Sequence, residues 1–262
     1  HTRSCLKSRG LGDVYKRQGK TSSRLVPAMV IFYLAACTWV LIVHADRIPG
    51  AFAAIFSEAF TGSSAAGGFL GATVAQAMRW GVARGIFSNE SGLGSAGIAA
   101  AAAKTSHPAR QALVSMTQTF IDTLVVCTFT GVAIIASGVW NSGETGAGLT
   151  QMAFDSGMAG GLGSKVIALS LALFAFSTII GWSYYGSRSI GYLFGLGAEK
   201  PYRMLFVVAA LAGAVFELDF VWLFSDVMNG LMALPNLIGL LLLSGVVARE
   251  SRKLLEEEHL LK

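Results

Sequence analysis

The chain has 262 residues, of which 53% are hydrophobic and only 13% are charged, and its mean hydropathy is +0.59. A soluble domain carries about 25% charged residues, so this composition argues against a water-soluble fold and predicts an all-α polytopic membrane protein with the lipid bilayer as its partner. The net charge of +5 does not indicate a nucleic-acid partner, because the basic residues fall in short clusters between apolar stretches.

The N-terminal residues 1–18 are polar and basic and lack the apolar stretch of a signal peptide. Because the chain begins with His, we interpret them as a non-native or adapter-derived leader; a genuine cytosolic loop is the alternative. Residues 19–250 are predicted to form the transmembrane part of the chain, and residues 251–262 a cytosolic tail.

Six apolar stretches are candidates for crossing a bilayer core, which is about 30 Å thick and needs about 20 helical residues. A surface helix is predicted over 49–66, a long glycine-rich loop over 139–163, and a kink at Pro235. Lys and Arg concentrate in alternate loops, which predicts a cytoplasmic C-terminus. The predicted spans are 25–44, 73–104 (broken), 109–138, 164–186, 202–216 and 220–247.

The span at 73–104 is interrupted by glycines and by polar residues. Each glycine costs about 1 kcal/mol in a helix relative to alanine, and Arg84, Asn89 and Glu90 would lie near the middle of the membrane, where an ionisable group costs about 2.5–3.5 kcal/mol. These features predict a helix broken near 87–95 around a ligand site, with a second half starting near Gly94 whose N-terminus suits a carboxylate. A glycine-lined packing face is the alternative.

Two further polar features lie in later spans. Asp122 ends a polar stripe at helical spacing and falls near the predicted midplane, where it is either functional or paired with Arg84 or Arg79. Ser177 and Thr178 could offer two oxygens to a hard monovalent cation. On spacing alone, hydrogen bonding of these hydroxyls to their own helix is favoured.

Three runs of sequence stand out, namely GIFSNESGLGSA at 85–96, FIDT at 120–123 with Cys127-Thr128, and STIIGWSYYG at 177–186. Together they resemble the alanine/glycine:cation symporter family, also called the sodium:alanine symporters. The resemblance covers residues from about 24 to about 250.

The resemblance implies the C-terminal part of a leucine-transporter-type fold with two five-helix inverted repeats. In that fold Ser177 and Thr178 would hold a coupling sodium, the only ion implied, and no other cofactor is expected. The first half of the family pattern, which should complete both sites, is absent, so we interpret the chain as a fragment. The residues implied to line the amino acid pocket are Phe87, Ser88, Asn89 and Gly92, with Trp182 at its border.

The predicted function is sodium-coupled symport of alanine or glycine across a bacterial or archaeal inner membrane, as part of a longer protein, and not enzymatic catalysis. A carrier of another amino acid, or one driven by protons, is the alternative within this fold. An intramembrane enzyme is disfavoured because all four histidines lie at or outside the span ends. A channel is disfavoured because the unlike helices form no symmetric pore ring.

Overall fold

The computed structural model describes residues 2–61 and 70–260, and within them the side chains of 17–57 and 78–256. Regular structure in these ranges is helical throughout. A π-helical segment, Phe120–Cys127, joins the fifth helix to the sixth, and short 3-10 turns lie at Ala45–Arg47, Val139–Asn141, Ala159–Gly161 and Leu196–Ala198. The α-helices are α1 Thr2–Val43, α2 Ile48–Thr61, α3 Leu70–Asn89, α4 Ser95–Ala100, α5 Pro108–Thr119, α6 Thr128–Ser137, α7 Gly146–Gly157, α8 Leu162–Phe194, α9 Glu199–Gly213 and α10 Leu218–Leu260.

Four helical stretches among the described residues are long and apolar enough to cross a membrane, which makes the chain an all-α membrane protein. They are Arg17–Val43, Pro108–Ser137, Ala159–Phe194 and Leu218–Glu256.

The stretches 73–104 and 202–216 are not among these four, so their crossing of the bilayer stays a prediction. The surface helix predicted over 49–66 coincides with α2 as far as Thr61, and residues 62–66 lie outside the described part of the chain.

The chain divides into two compact units, each made of two stretches of sequence. The first unit comprises His1–Ala77 and Val126–Val208, and the second comprises Met78–Val125 and Ala209–Lys262. The interrupted segment from Met78 onward and α10 therefore belong to the second unit, while α1, α7 and α8 belong to the first.

The core of the first unit centres on Tyr33 of α1. Its ring lies 5.9 Å from the ring of Phe154 on α7 and 5.4 Å from that of Phe174 on α8, centroid to centroid. The Tyr33 hydroxyl is 2.8 Å from the Thr130 Oγ1 of α6. Aromatic pairs at these separations stabilise a fold beyond the burial of their apolar surface. The Tyr33 side chain therefore links α1 to α6, α7 and α8.

The prediction of a loop throughout 139–163 is wrong, because α7 occupies the middle of this interval. Ala153 and Phe154 of α7 are fully buried, and their packing outweighs the low helix propensity of the glycines around them. Asp155 accepts hydrogen bonds from the backbone N–H of Ser164, at 2.8 Å, and from its hydroxyl, so it caps the first turn of α8.

Helix α7 also approaches α1 closely at Gly157. A Cβ at this position would lie 3.2 Å from the Cα of Val40. The indole N–H of Trp39 donates to the Gly157 carbonyl at 3.1 Å. A small residue is needed here because the two backbones leave no room for a side chain.

Helix α10 continues through Pro235 to Leu260 as one helix. Proline has no N–H, so the ladder bond to the carbonyl of Leu231 is missing at this point. The residues of the predicted tail, 251–260, continue the helix without interruption.

We expect Gly163→Ala to destabilise the first unit, because the new Cβ would overlap backbone atoms of Phe154 and Asp155 in α7. Overpacking of this kind costs about 1–3 kcal/mol. Gly131→Ala in α6 is the matched control, since no atom lies within 4 Å of its added Cβ; it should be neutral or stabilising by up to about 1 kcal/mol. Thermal unfolding of the detergent-solubilised chain measures both, and equal midpoints for the two variants would contradict this packing.

Candidate functional site

The backbone leaves helical geometry between α3, which ends at Asn89, and α4, which begins at Ser95. Glu90, Gly92 and Gly94 adopt positive φ angles of 57°, 81° and 85°. Glycine accepts this conformation without steric cost, whereas a residue with a Cβ loses about 1–2 kcal/mol in it. We call residues 90–94 the connecting turn.

Side chains within the connecting turn support its backbone. The Asn89 Oδ1 accepts from the backbone N–H of Ser91 at 2.9 Å, which is the hydrogen bond of an Asx turn. The Ser95 hydroxyl, on a residue only 1% exposed, donates to the Glu90 carboxylate at 2.7 Å. This bond offsets part of the cost of the positive φ at Glu90.

The end of α3 is bonded to the π-helical segment. The Ser88 hydroxyl lies 2.9 and 2.8 Å from the two carboxylate oxygens of Asp122, and the Asn89 amide donates to the Thr123 hydroxyl at 2.9 Å. The wider turn of a π-helix lets two consecutive residues meet the same neighbour, and π-bulges occur frequently at functional sites. Asp122, the acid noted in the sequence, therefore contacts Ser88, a residue predicted to line the substrate pocket.

Helix α10 contacts the connecting turn from another direction. The Asn236 amide donates to the Gly92 carbonyl at 2.9 Å. A Cβ on Gly94 would lie 3.0 Å from the Asn236 Oδ1. Gly94 is thus required both by its φ angle and by the closeness of α10.

Arg84 forms an ion pair with Asp226 of α10, with the Arg84 Nη2 at 2.7 and 2.5 Å from the carboxylate oxygens. Asp122 was predicted to be either functional or paired with Arg84 or Arg79. Its pair with Arg84 is not made, because Arg84 binds Asp226 instead. The guanidinium also lies 4.2 Å above the ring of Trp222, and the Trp222 ring is 5.3 Å from that of Phe87.

The predicted sodium ligands lie in α8, in the first unit. The Ser177 hydroxyl donates to the Phe174 carbonyl at 2.8 Å, which is the bond to its own helix that spacing alone favours. Thr178 is exposed in this unit, and the ring of Trp182 packs 5.9 Å from that of Tyr185. The role of these three residues stays a prediction.

Four contact residues were not singled out from the sequence, namely Thr123, Trp222, Asp226 and Asn236. Asp226 was available to the same reasoning as Asp122, because it is an acid inside the apolar stretch 220–247. Asn236 is a polar residue inside the apolar stretch 220–247 and comes directly after Pro235, whose missing N–H leaves the Leu231 carbonyl without its helical partner. Thr123 was noted only as part of the FIDT run at 120–123 and was given no role of its own. Trp222 carries no such signal, since aromatic residues are frequent in apolar helices.

Comparison with known proteins places these features in a family. The chain is 49% identical over 246 residues to the sodium/alanine symporter AgcS of Methanococcus maripaludis, covering 92% of this chain and 53% of the relative. It is 45% identical over 243 residues to an uncharacterised transporter of Haemophilus influenzae, with the same two coverages. A probable sodium/glutamine symporter of Bacillus subtilis, GlnT, is 39% identical over 239 residues, covering 88% of this chain and 48% of that protein.

The chain therefore spans about half the length of the curated relatives it matches. The profile of the sodium:alanine symporter family matches residues 11–260, which is nearly the whole chain. On this match and these identities, the chain belongs to the sodium:alanine symporter family.

Proposed function

We propose that the full-length protein containing this chain uses a sodium gradient to carry a small neutral amino acid, alanine or glycine, across a bacterial or archaeal inner membrane. The observation that carries the proposal is the connecting turn, held by the π-helical segment and by α10, in a chain of the sodium:alanine symporter family. Relatives named as sodium/alanine and probable sodium/glutamine symporters support sodium and an amino acid as the transported species.

In this proposal α3 and α4 are the two halves of one broken transmembrane helix, within the C-terminal part of a leucine-transporter-type fold. The C-terminus is cytoplasmic, as the distribution of Lys and Arg predicts. Support comes from the positive φ angles at Glu90, Gly92 and Gly94, which end the helical hydrogen bonding where transporters of this class bind their substrates.

The proposed substrate pocket is lined by Phe87, Ser88, Asn89 and Gly92. The preference for alanine or glycine is supported by the bulk of Phe87, which the neighbouring Trp222 ring, 5.3 Å away, keeps from turning aside. Large rigid rings leave room for a short side chain and penalise a longer one. The assignment of Trp182 to the border of this pocket rests on the family resemblance alone.

The proposed sodium ligands are the hydroxyls of Ser177 and Thr178. The bond from Ser177 to the Phe174 carbonyl is compatible with this role, because it uses the hydroxyl proton and leaves the oxygen lone pairs for a cation. Two hydroxyls are too few to hold a sodium ion by themselves. Hard cations bind several oxygens at once, and calcium, for example, takes about six to eight. The remaining ligands are expected outside this chain.

Uptake into liposomes by the full-length protein tests the proposal. Labelled alanine and glycine should accumulate when a sodium gradient is imposed, and should not accumulate with potassium in its place. Entry that stops when the inside and outside concentrations are equal, whichever cation gradient is imposed, would indicate a channel, and the absence of both binding and uptake would overturn the proposal.

Asn89→Ala should weaken the apparent affinity for the amino acid by about tenfold, equivalent to about 1.4 kcal/mol. It removes both the acceptor for the Ser91 N–H and the donor to Thr123. Asn89→Asp is the matched variant, because it keeps the acceptor, and its loss should be smaller. Uptake kinetics and the amount of inserted protein are measured together; a wild-type KM for Asn89→Ala would exclude Asn89 from the pocket.

Thr178→Val should raise the sodium concentration needed for half-maximal uptake by several-fold, because it removes one oxygen at nearly constant shape. Substrate binding at saturating sodium should be largely kept. Thr178→Ser retains the hydroxyl and should stay close to wild type. Uptake measured against sodium concentration decides the matter, and an unchanged half-saturation value for Thr178→Val would return this hydroxyl to a structural role.

A proton-driven carrier is the second candidate, favoured by the contact between Asp122 and Ser88. An acid bonded to the proposed pocket could exchange a proton in each cycle. For such a carrier, a pH gradient should drive uptake where a sodium gradient does not, and Asp122→Asn should abolish that uptake. If the protein uses sodium alone, no pH-driven uptake will be seen before or after the substitution.

A further inference from the structure

Trp80, Arg84 and Phe87 lie on one face of α3, four and three residues apart, and Trp222 and Asp226 lie one turn apart on α10. These five residues form what we call the aromatic ion-pair cluster. All five belong to the second compact unit. Its three members on α3 precede the connecting turn in the chain.

Arg84 makes two kinds of contact, an ion pair with a carboxylate and cation–π contacts with aromatic rings. Its Nη2 bonds to both oxygens of Asp226, at 2.5 and 2.7 Å. Its guanidinium carbon lies 4.2 Å from the centre of the Trp222 ring, 5.4 Å from Trp80 and 5.6 Å from Phe87. Distances within about 6 Å give a favourable cation–π interaction, so the aromatic faces stabilise a cation whose Nη1 is buried without a hydrogen-bond partner among the described residues.

The cluster and Asn236 together attach the end of α3 and the connecting turn itself to α10. Asp226 binds the residue five positions before Asn89, and Asn236 binds the Gly92 carbonyl within the turn. The two attachment points are ten residues apart, or about 15 Å along the helix axis. A displacement of the α3 backbone away from α10 by more than the reach of the Arg84 side chain would therefore break its contact with Asp226.

The side chains of Arg84 and Asp226 are 32% and 31% exposed in this chain. The described residues therefore do not enclose the ion pair on all sides.

We propose that Arg84 and Asp226 are positioning residues that form a latch between α3 and α10, and that this latch opens and closes in each transport cycle. The proposal rests on the proposed function, because it assumes that the connecting turn lines the substrate pocket. The latch acts through Phe87, which shares the Trp222 ring with the guanidinium.

Reversible cross-linking tests whether the contact opens. Arg84→Cys and Asp226→Cys are combined in the full-length protein without its other cysteines, reconstituted in liposomes and bridged with a bifunctional methanethiosulfonate reagent. Bridging should reduce sodium-driven uptake by at least tenfold, and dithiothreitol should restore it. Each single cysteine treated in the same way is the control and should keep most of its uptake.

A bridged protein that transports at the unbridged rate would overturn the latch, because the contact would then be permanent. This outcome differs from failure of the proposed function, in which the unmodified protein itself shows no sodium-driven uptake.

A double-mutant cycle with uncharged replacements provides an independent measurement that does not depend on cysteines. Arg84→Gln and Asp226→Asn should each lower the maximal uptake rate about tenfold, with substrate binding within a few-fold of wild type, because each leaves an unpaired charge. The double variant should be no slower than either single variant. Losses that multiply in the double variant, or binding abolished in Arg84→Gln alone, would overturn the latch, the latter by making Arg84 a direct substrate ligand.

Discussion

The interruption between α3 and α4 depends on one constraint, which is that backbone groups released from a helix need new hydrogen-bond partners. The Ser91 N–H is bonded by the Asn89 side chain, and the Gly92 carbonyl by Asn236. An unpaired polar group in an apolar medium costs several kcal/mol, on the order of 4–8 for transfer to a hydrocarbon. The neighbouring elements are therefore placed where they can satisfy the connecting turn.

Two elements meet this need in different ways. Helix α10 contributes an amide from the residue after Pro235, so the position where its own ladder is incomplete is also where it bonds to another segment. The π-helical segment contributes Asp122 and Thr123, two consecutive residues that both reach the end of α3. The proline of α10 and the π-helical segment thus both lie next to residues that bond to the interruption between α3 and α4.

Composition and periodicity predicted much of the helical layout, because long apolar runs have few other solutions in lipid. The glycine and polar content of 87–95 indicated an interruption, and the structure has non-helical backbone over 90–94. That α3 and α4 cross the bilayer as one broken helix stays a prediction, as do the assignments of Ser177 and Thr178. Helix α7 was missed because its stability comes from Phe154 packing on Tyr33, a contact far apart in sequence. The partners within the candidate site were also harder to predict than its lining, because only tertiary structure selects Asp226 over Asp122 as the acid that pairs with Arg84.

The spacing between Asp226 and Asn236 also limits how the length of α10 can vary. Each helical residue advances by about 100° around the axis and by about 1.5 Å along it. Adding or removing one residue between these two positions would therefore turn Asn236 away from the Gly92 carbonyl whenever Asp226 stays on Arg84. In this stretch of the helix, insertions and deletions are constrained more tightly than substitutions, even at positions whose side chains touch nothing in the candidate site.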